Sequence, residues 1–175
     1  MRKVGTKFVM PMYGVAVIKR IETKDVGGKK KDFYVCSVVQ SQMTVLAPVD
    51  QFEQLGYRDL LPPEKLRMIL PKVLDARPAL DQQSWNARYR EYMEKIKTGS
   101  ILQIALVYRN LHQLRREKDL SFGERKMCDQ ANNLLVMEME ASGMEAAEIA
   151  ALCHASIIAA WATEERNLKA IARIE

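Results

Sequence analysis

The chain has 175 residues, 48% of them hydrophobic, and is therefore long and apolar enough to bury a core in one domain or in two small ones. Its 27 lysines and arginines against 22 acidic residues leave a net charge of +5, which suits a phosphate-bearing partner but does not require one. Three widely spaced cysteines without a CxxC pair argue against a disulfide framework or a zinc site, and no segment has the apolar run of a signal peptide or a membrane span, so we expect a cytoplasmic protein.

Short antiparallel strands are predicted in the first third of the chain, where β-branched and aromatic residues are dense and turn signals recur. The segments that fit this pattern are Lys7 to Met10, Val15 to Lys24, Asp32 to Val39 and Met43 to Ala47. The tight connections favour a meander of four or five strands. Closure into a small SH3-like or Tudor-like antiparallel β-barrel would limit exposed edges, and we place this domain at residues 1–60.

The hydrophobic spacing becomes helical after Pro62 and Pro63. A first helix begins there and a loop leads on to Ser84, so we interpret residues 61–83 as a helix and linker. Ser100 and Ser121 each precede an amphipathic run and have Gln or Glu three residues later, which is the capping-box pattern. Residues 84–175 are therefore predicted to form a compact α-helical bundle, with a helical extension from about residue 143, and the protein as a whole is α+β.

The helix between Ser84 and Gly99 carries a tryptophan, Trp85, at its first position. Trp85 recurs at helical spacing with Tyr89, Tyr92, Met93 and Ile96, and such a stripe usually packs into a core. An indole at a helix start, flanked by guanidinium groups, could instead be a wedge for nucleic acid. The periodicity by itself favours burial.

No catalytic constellation can be assembled from the sequence. The two histidines, His112 and His154, lie inside predicted helices, and no Ser/His/Asp, Cys/His or glycine-rich phosphate-binding motif occurs. Cys153 beside His154 is poorly placed for shared metal binding, because adjacent helical residues point to different faces. We expect that the protein is not an enzyme and that it has no cofactor and no metal site.

Motifs in both predicted domains resemble one bacterial family. In the first domain these are the residues around Pro11 and Gly14, then GGKKKDFYV and MTVLAPV; in the second they are WNARYREYMEKIKTGSI, VYRNL and REKDLSFGERKM. Together they cover roughly residues 4–140 in the right order and closely resemble the CarD/CdnL family of transcription regulators.

The resemblance implies a regulator that binds the RNA polymerase β subunit and promoter DNA together, and we expect it to act as a monomer. The family's tryptophan matching Trp85 wedges into the minor groove at the upstream edge of the transcription bubble and stabilises the open complex. Arg88, Arg90, Arg125 and Lys126 are the expected phosphate partners, the last two in a helix's first turn.

The resemblance also implies that a barrel edge docks on the polymerase. The expected contact residues are Lys24, Met43, Thr44, Val45, Leu46 and Pro48. Lys24 stands where the family often has arginine and Leu46 where some relatives have a second basic residue, and lysine cannot form a planar bidentate fork. The alternative is a polymerase- or protein-binding interaction module in which the bundle has no DNA role.

Overall fold

The computed structural model describes residues 1–76 and 84–155, and it has an antiparallel sheet followed by a helical bundle. The strands are β1 (Lys7–Met10), β2 (Gly14–Val26), β3 (Lys29–Val38), β4 (Thr44–Pro48) and β5 (Arg58–Asp59), with a 3-10 turn at Val49–Gln51. The helices are α1 (Pro63–Leu74), α2 (Trp85–Lys97), α3 (Ile101–Glu117), α4 (Phe122–Ala141) and α5 (Ala146–Ala150), followed by a π-helical turn at Ala151–Ala155. This order confirms the predicted α+β class. Most of the predicted C-terminal extension, including Trp161, lies outside the described residues.

The sheet has the strand order β4-β3-β2-β1-β5, so the first four strands form the predicted meander. β2 and β3 make a long hairpin that turns at Gly27 and Gly28, both of which have the positive φ that glycine adopts without strain. The short strand β5 adds to the free side of β1, where Phe8 pairs with Asp59. The strand order therefore ends at β4 on one side and at β5 on the other.

An aromatic core fills the sheet domain. Phe8 is fully buried and packs against Phe52, with ring centroids 4.9 Å apart, and the edge of Tyr34 meets Phe52. Arg2 covers this cluster, because its guanidinium lies 4.5 Å from the centre of the Phe52 ring and pairs with Asp59. The N-terminal segment is thereby fixed to the end of the sheet.

The helical domain has a second core, to which α1 contributes fully. Leu66, Leu70 and Leu74 are completely buried and join the same cluster as Ile96 of α2 and Leu111 of α3. The spacing of the three leucines places them on one face of α1. The helix that the sequence grouped with the linker is thus part of the helical core.

The helix starts agree with the sequence, but the caps differ in detail. Ser121 makes the complete capping box with Glu124, whereas the side chains of Ser84 and Ser100 cap no amide. The backbone N–H of Ser100 instead donates to Thr98 Oγ1 at 3.1 Å. The predicted end of α2 at Gly99 is confirmed, since Gly99 has a φ of +67°.

An arginine clamp joins the two domains. The guanidinium of Arg58 in β5 donates to both carboxylate oxygens of Glu138 in α4, at 2.6 and 2.8 Å, and also to the carbonyl of Gly99, at 2.7 and 3.0 Å. Nearby, Gly14 of β2 approaches α4 closely: its φ is +84°, and a Cβ there would lie 2.5 Å from the terminal Cε of Met137, so a side chain at position 14 would require Met137 to move. The bidentate fork and the close contact hold the sheet domain against the bundle.

Candidate nucleic-acid interface

Trp85 is the first residue of α2, and its indole rests on the start of α4. A Cβ on Gly123 would lie 3.1 Å from Cζ2 of Trp85, so the absence of a side chain at position 123 makes the seat for the ring. Tyr89, one turn further along α2, meets the indole edge to face, with centroids 5.5 Å apart. Trp85 is only partly buried. The indole is therefore braced and packs against the helical core, and a minor part of its surface remains accessible to solvent.

The apolar stripe of α2 is narrower than its periodicity predicts. Tyr92 and Ile96 are buried as expected and Met93 is half-buried, but Tyr89 is 45% exposed. The expectation that Tyr89 packs into the core is wrong, because its ring covers the side of Trp85 and continues outward from there. Tyr89 thus extends the aromatic surface.

Arg88 is buried in an ion pair instead of facing solvent. Its Nη2 lies 2.6 Å from Oε1 of Glu124, and the two residues are 6% and 2% exposed. Glu124 also accepts the backbone N–H of Ser121 at 2.8 Å, so one carboxylate closes the cap of α4 and binds α2. The burial of Arg88 does not fit the expected phosphate contact, and the geometry makes it a residue that positions the two helix starts.

The pKa of the Glu124 carboxyl reflects both its burial and its charged partners. Burial acts to raise the pKa, but the hydrogen bonds from Ser121 and the charges of Lys118 and Arg88 outweigh it and lower the pKa below its ordinary value. Glu124 is therefore ionised at neutral pH, and the pair with Arg88 is a charged one.

The remaining predicted cations are exposed but differ in position. Arg125 and Lys126 are the fourth and fifth residues of α4, two and three positions after the glycine that seats the indole. Arg90 lies five residues beyond Trp85, which is about 140° further around α2. Arg125 and Lys126 belong to the helix start on which the indole rests, whereas Arg90 is directed toward another side of α2.

Phe122 is an aromatic residue that the sequence analysis did not select. It is 77% exposed at the first position of α4, next to Gly123. The available signal was an aromatic residue directly after a capping serine and outside the apolar stripe of its helix. Trp85, Tyr89 and Phe122, together with Arg125 and Lys126, are called the aromatic-basic surface below.

The predicted polymerase-binding residues lie mainly on one face of the sheet. β4 is an edge strand that pairs with β3 alone among the described strands. The ladder aligns Leu46 with Val35 and Arg20, and Pro48 with Phe33 and Glu22. Because side chains alternate along a strand, Thr44, Leu46 and Pro48 share the outer face with Lys24, two residues beyond Glu22.

Two of the predicted polymerase-binding residues do not lie on this outer face, and one cation that was not predicted does. Val45 packs against the sheet core and offers the edge only its backbone, while Met43 is 39% exposed at the start of β4. Arg20, which the sequence analysis did not select, lies on the outer face and holds Glu22 at 2.6 Å. The hydrogen bond from Arg20 lowers the pKa of Glu22. We call Arg20, Lys24, Thr44, Leu46 and Pro48 the outer sheet face.

The thiols offer no reactive centre. Burial raises the pKa values of Cys36, Cys128 and Cys153 to about 11, so each remains protonated at neutral pH. Among residues 1–76 and 84–155, no three His, Cys, Asp or Glu side chains are grouped as metal ligands. Within the same ranges, no helix has the length and apolar character to cross a membrane.

Both domains match known families. Residues 3–57 match the model of the CarD-like/TRCF RID domain, and residues 70–154 match that of the CarD C-terminal domain. A Bacillus subtilis (strain 168) protein designated a candidate transcription factor, YdeB, is 32% identical over 140 residues, which cover 80% of this chain and 91% of that protein. The fold and these matches define a two-domain transcription regulator. The chain belongs to the CarD family, as its motifs indicate, and this is a family of transcription factors rather than of enzymes.

Proposed function

We propose that this regulator binds the RNA polymerase β subunit through its sheet domain and promoter DNA at the upstream edge of the bubble through α2 and α4, and so stabilises the open complex. The observation that carries the proposal is the braced, accessible indole of Trp85 on the aromatic-basic surface. An apolar wedge inserts between base steps that are already partly unstacked, and adjacent cations hold the phosphates.

The surroundings of Trp85 support a wedge because they prevent the ring from folding away. Gly123 lies against the indole at Cζ2, Cε2 and Nε1, Tyr89 meets it in a T-shaped contact, and the buried Arg88–Glu124 pair fixes the helices that carry them. In this proposal Arg125 and Lys126 bind phosphate, helped by the positive end of the α4 dipole. Arg88 acts by positioning Trp85, and Arg90 contacts DNA only where the duplex bends around α2.

The outer sheet face supports the proposed polymerase contact. β4 has an edge available for main-chain hydrogen bonds, and Leu46 is 42% exposed beside the cations Arg20 and Lys24. An acidic surface with an exposed strand would complement both features. Lys24 interacts as a point charge, with Nζ 3.6 Å from Glu22, so Arg20 is the residue here that can form a planar fork.

The wedge is tested by the lifetime of the open complex at a ribosomal promoter. Wild type should lengthen it, and Trp85→Ala should remove most of the effect; a loss of ~1.4 kcal/mol would already shift the equilibrium tenfold. Met68→Ala is the matched control, since Met68 is 57% exposed on α1, apart from the aromatic-basic surface. Equal lifetimes with wild type and Trp85→Ala would eliminate the wedge. Failure of the β subunit to co-purify with the tagged chain would eliminate the polymerase contact.

A second candidate is an interaction module whose helical domain has no DNA role. The observation that favours it is the packing of the indole on Gly123 and Tyr89, which also describes an ordinary boundary residue. Tryptophan fluorescence in a Trp161→Phe background separates the two. An emission of Trp85 that is shielded from quenchers and unchanged by forked promoter DNA selects the interaction module.

A further inference from the structure

A groove of about 820 Å³ runs between the two domains, next to the aromatic-basic surface. One wall is the turn between β1 and β2, with Met12 and Tyr13, and the other is the exposed side of α4. The volume lies within the range of ligand sites, about 300–1,000 Å³. The groove shares Phe122, Arg125 and Lys126 with the aromatic-basic surface and adds a wall of the sheet domain and the amides of α4, while Trp85 does not line it.

The groove changes in polarity along α4. Phe122, Lys126, Gln130, Asn133 and Met137 follow one another at intervals of three or four residues and so form one stripe on the helix. The end nearest Trp85 is aromatic and cationic, the middle carries two amides, and the far end is apolar. A ligand with a phosphate, a hydrogen-bonding edge and a flat apolar ring would match this sequence of groups.

The walls of the groove are fixed. At the far end, Gly14 lies against the side chain of Met137, and the Arg58–Glu138 clamp joins the sheet domain to α4 one residue further along the helix. Met12 has a φ of +70°, which is uncommon for a side chain of this size, so packing holds the turn in place. The site is therefore preformed and need not be assembled by its ligand.

We infer that this groove binds an unpaired nucleotide of single-stranded DNA, and the inference deepens the proposed function by giving the strand displaced at the bubble edge a place to bind. Tyr13 is 51% exposed and offers its ring for stacking, while the amides of Gln130 and Asn133 can each donate to and accept from a base edge. Arg125 and Lys126 bind the phosphate at the entrance. Single strands are recognised by this combination of an aromatic platform, amides and cations.

Asp129 also lines the groove and sets the polarity of the bound strand. Its carboxylate repels phosphate and can accept from an exocyclic amino group of a base. The phosphate consequently stays at the Arg125 and Lys126 end, and the base points inward toward the apolar end. Cytosine and adenine, which carry such amino groups, should bind more tightly than thymine.

The inference is tested with the full-length chain and a fluorescently labelled DNA single strand by anisotropy. Wild type should bind this strand at least tenfold more tightly than an abasic strand of the same length, which keeps the phosphates but lacks the bases. Tyr13→Ala and Gln130→Ala should each weaken binding about tenfold, whereas Tyr13→Phe should retain it. Gln51→Ala is the matched control, because Gln51 is an exposed glutamine on the sheet domain. Thermal unfolding verifies that each variant is folded.

Equal binding of the natural and abasic strands would overturn the inference, since it would mean that only the basic residues are engaged or that the groove serves a polypeptide segment of the polymerase. Unchanged binding by folded Tyr13→Ala and Gln130→Ala variants would overturn it too. Trp85→Ala should keep single-strand binding within about twofold of wild type. The lifetime assay can therefore contradict the Trp85 wedge without affecting the groove, and the anisotropy assay can contradict the groove without affecting the wedge.

Discussion

Two of the ion pairs that connect elements far apart in the chain differ in burial and in the elements that they join. Arg88 and Glu124 are both buried inside the helical domain and link α2 to α4. Arg58, with 27% of its side chain exposed, reaches from the sheet domain to the buried Glu138. The first pair fixes the seat of Trp85, and the second fixes one domain relative to the other. The position of Trp85 and the relative orientation of the two domains thus depend on separate contacts. Each contact can be removed without the other.

The largest effect is expected from removing the buried carboxylate. Glu124→Gln leaves the buried guanidinium of Arg88 without a counter-charge and weakens the α4 cap, so the free energy of unfolding should fall by about 3–5 kcal/mol. Urea denaturation measures this change. Glu94→Gln removes an exposed carboxylate that pairs with Lys97 on α2, and it should change stability by less than about 0.5 kcal/mol. Similar losses in the two variants would show that the buried pair contributes no more to stability than an exposed pair.

The pH dependence of stability in Glu124→Gln tests whether Glu124 is charged in the folded protein. Because the folded state lowers the pKa of Glu124, its charge stabilises the fold above the unfolded pKa of about 4.3, and this contribution is lost as the pH falls through the folded pKa. The stability difference between wild type and Glu124→Gln should therefore shrink as the pH is lowered from 7 to 3. A difference that stays constant over this range would contradict the charged pair.

A smaller effect is expected at the domain junction. Arg58→Lys keeps the positive charge but loses the fork to Glu138 and the bond to Gly99, which should cost about 1–2 kcal/mol and loosen the relative orientation of the domains. Urea denaturation measures the first change and residual dipolar couplings the second. Arg67→Lys, at the exposed pair with Glu148, is the control and should leave the orientation unchanged. A fixed orientation in Arg58→Lys would mean that packing at Gly14 is sufficient.

The smallest change in stability is expected at the seat of the indole. Gly123→Ala places a methyl group against the Trp85 ring, whose Cζ2 is 3.1 Å from the new Cβ position, while alanine favours the helix by up to about 1 kcal/mol. The two effects largely cancel, so stability should change by less than about 1 kcal/mol. The emission of Trp85 should shift to the red as the ring moves into water, measured in a Trp161→Phe background. An unshifted emission would show that the ring does not rest on position 123.

The sequence predicts the features that depend on nearby residues. The spacing from Ser121 to Glu124 gave the cap of α4, Gly99 gave the end of α2, and the turn signals separated the first four strands. Each of these depends on residues a few positions apart, but local spacing is not always sufficient, because Ser100 precedes Gln103 by the same interval and its side chain caps no amide.

The features that could not be predicted depend on partners distant in the chain. The resemblance implied that Arg88 contacts phosphate, and its burial depends on a carboxylate 36 residues away. The helical periodicity predicted that Tyr89 packs in the core. It could not show that the Tyr89 ring instead covers the side of the Trp85 ring at the surface. The Arg58 clamp joins residues 80 apart, and no local pattern indicates it.

Gly99 gives α2 a further property, that of a spacer of fixed length. The glycine carbonyl is bonded to Arg58, and a Cβ at position 99 would lie 3.0 Å from Pro11, so the C-terminal end of α2 is anchored to the sheet domain. Trp85 is at the opposite end of the 13-residue helix, about 20 Å away. The helix therefore holds the indole at a fixed distance from the contact with the sheet domain. Its length in residues sets the distance between the indole and the contact with the sheet domain, in steps of about 1.5 Å per residue.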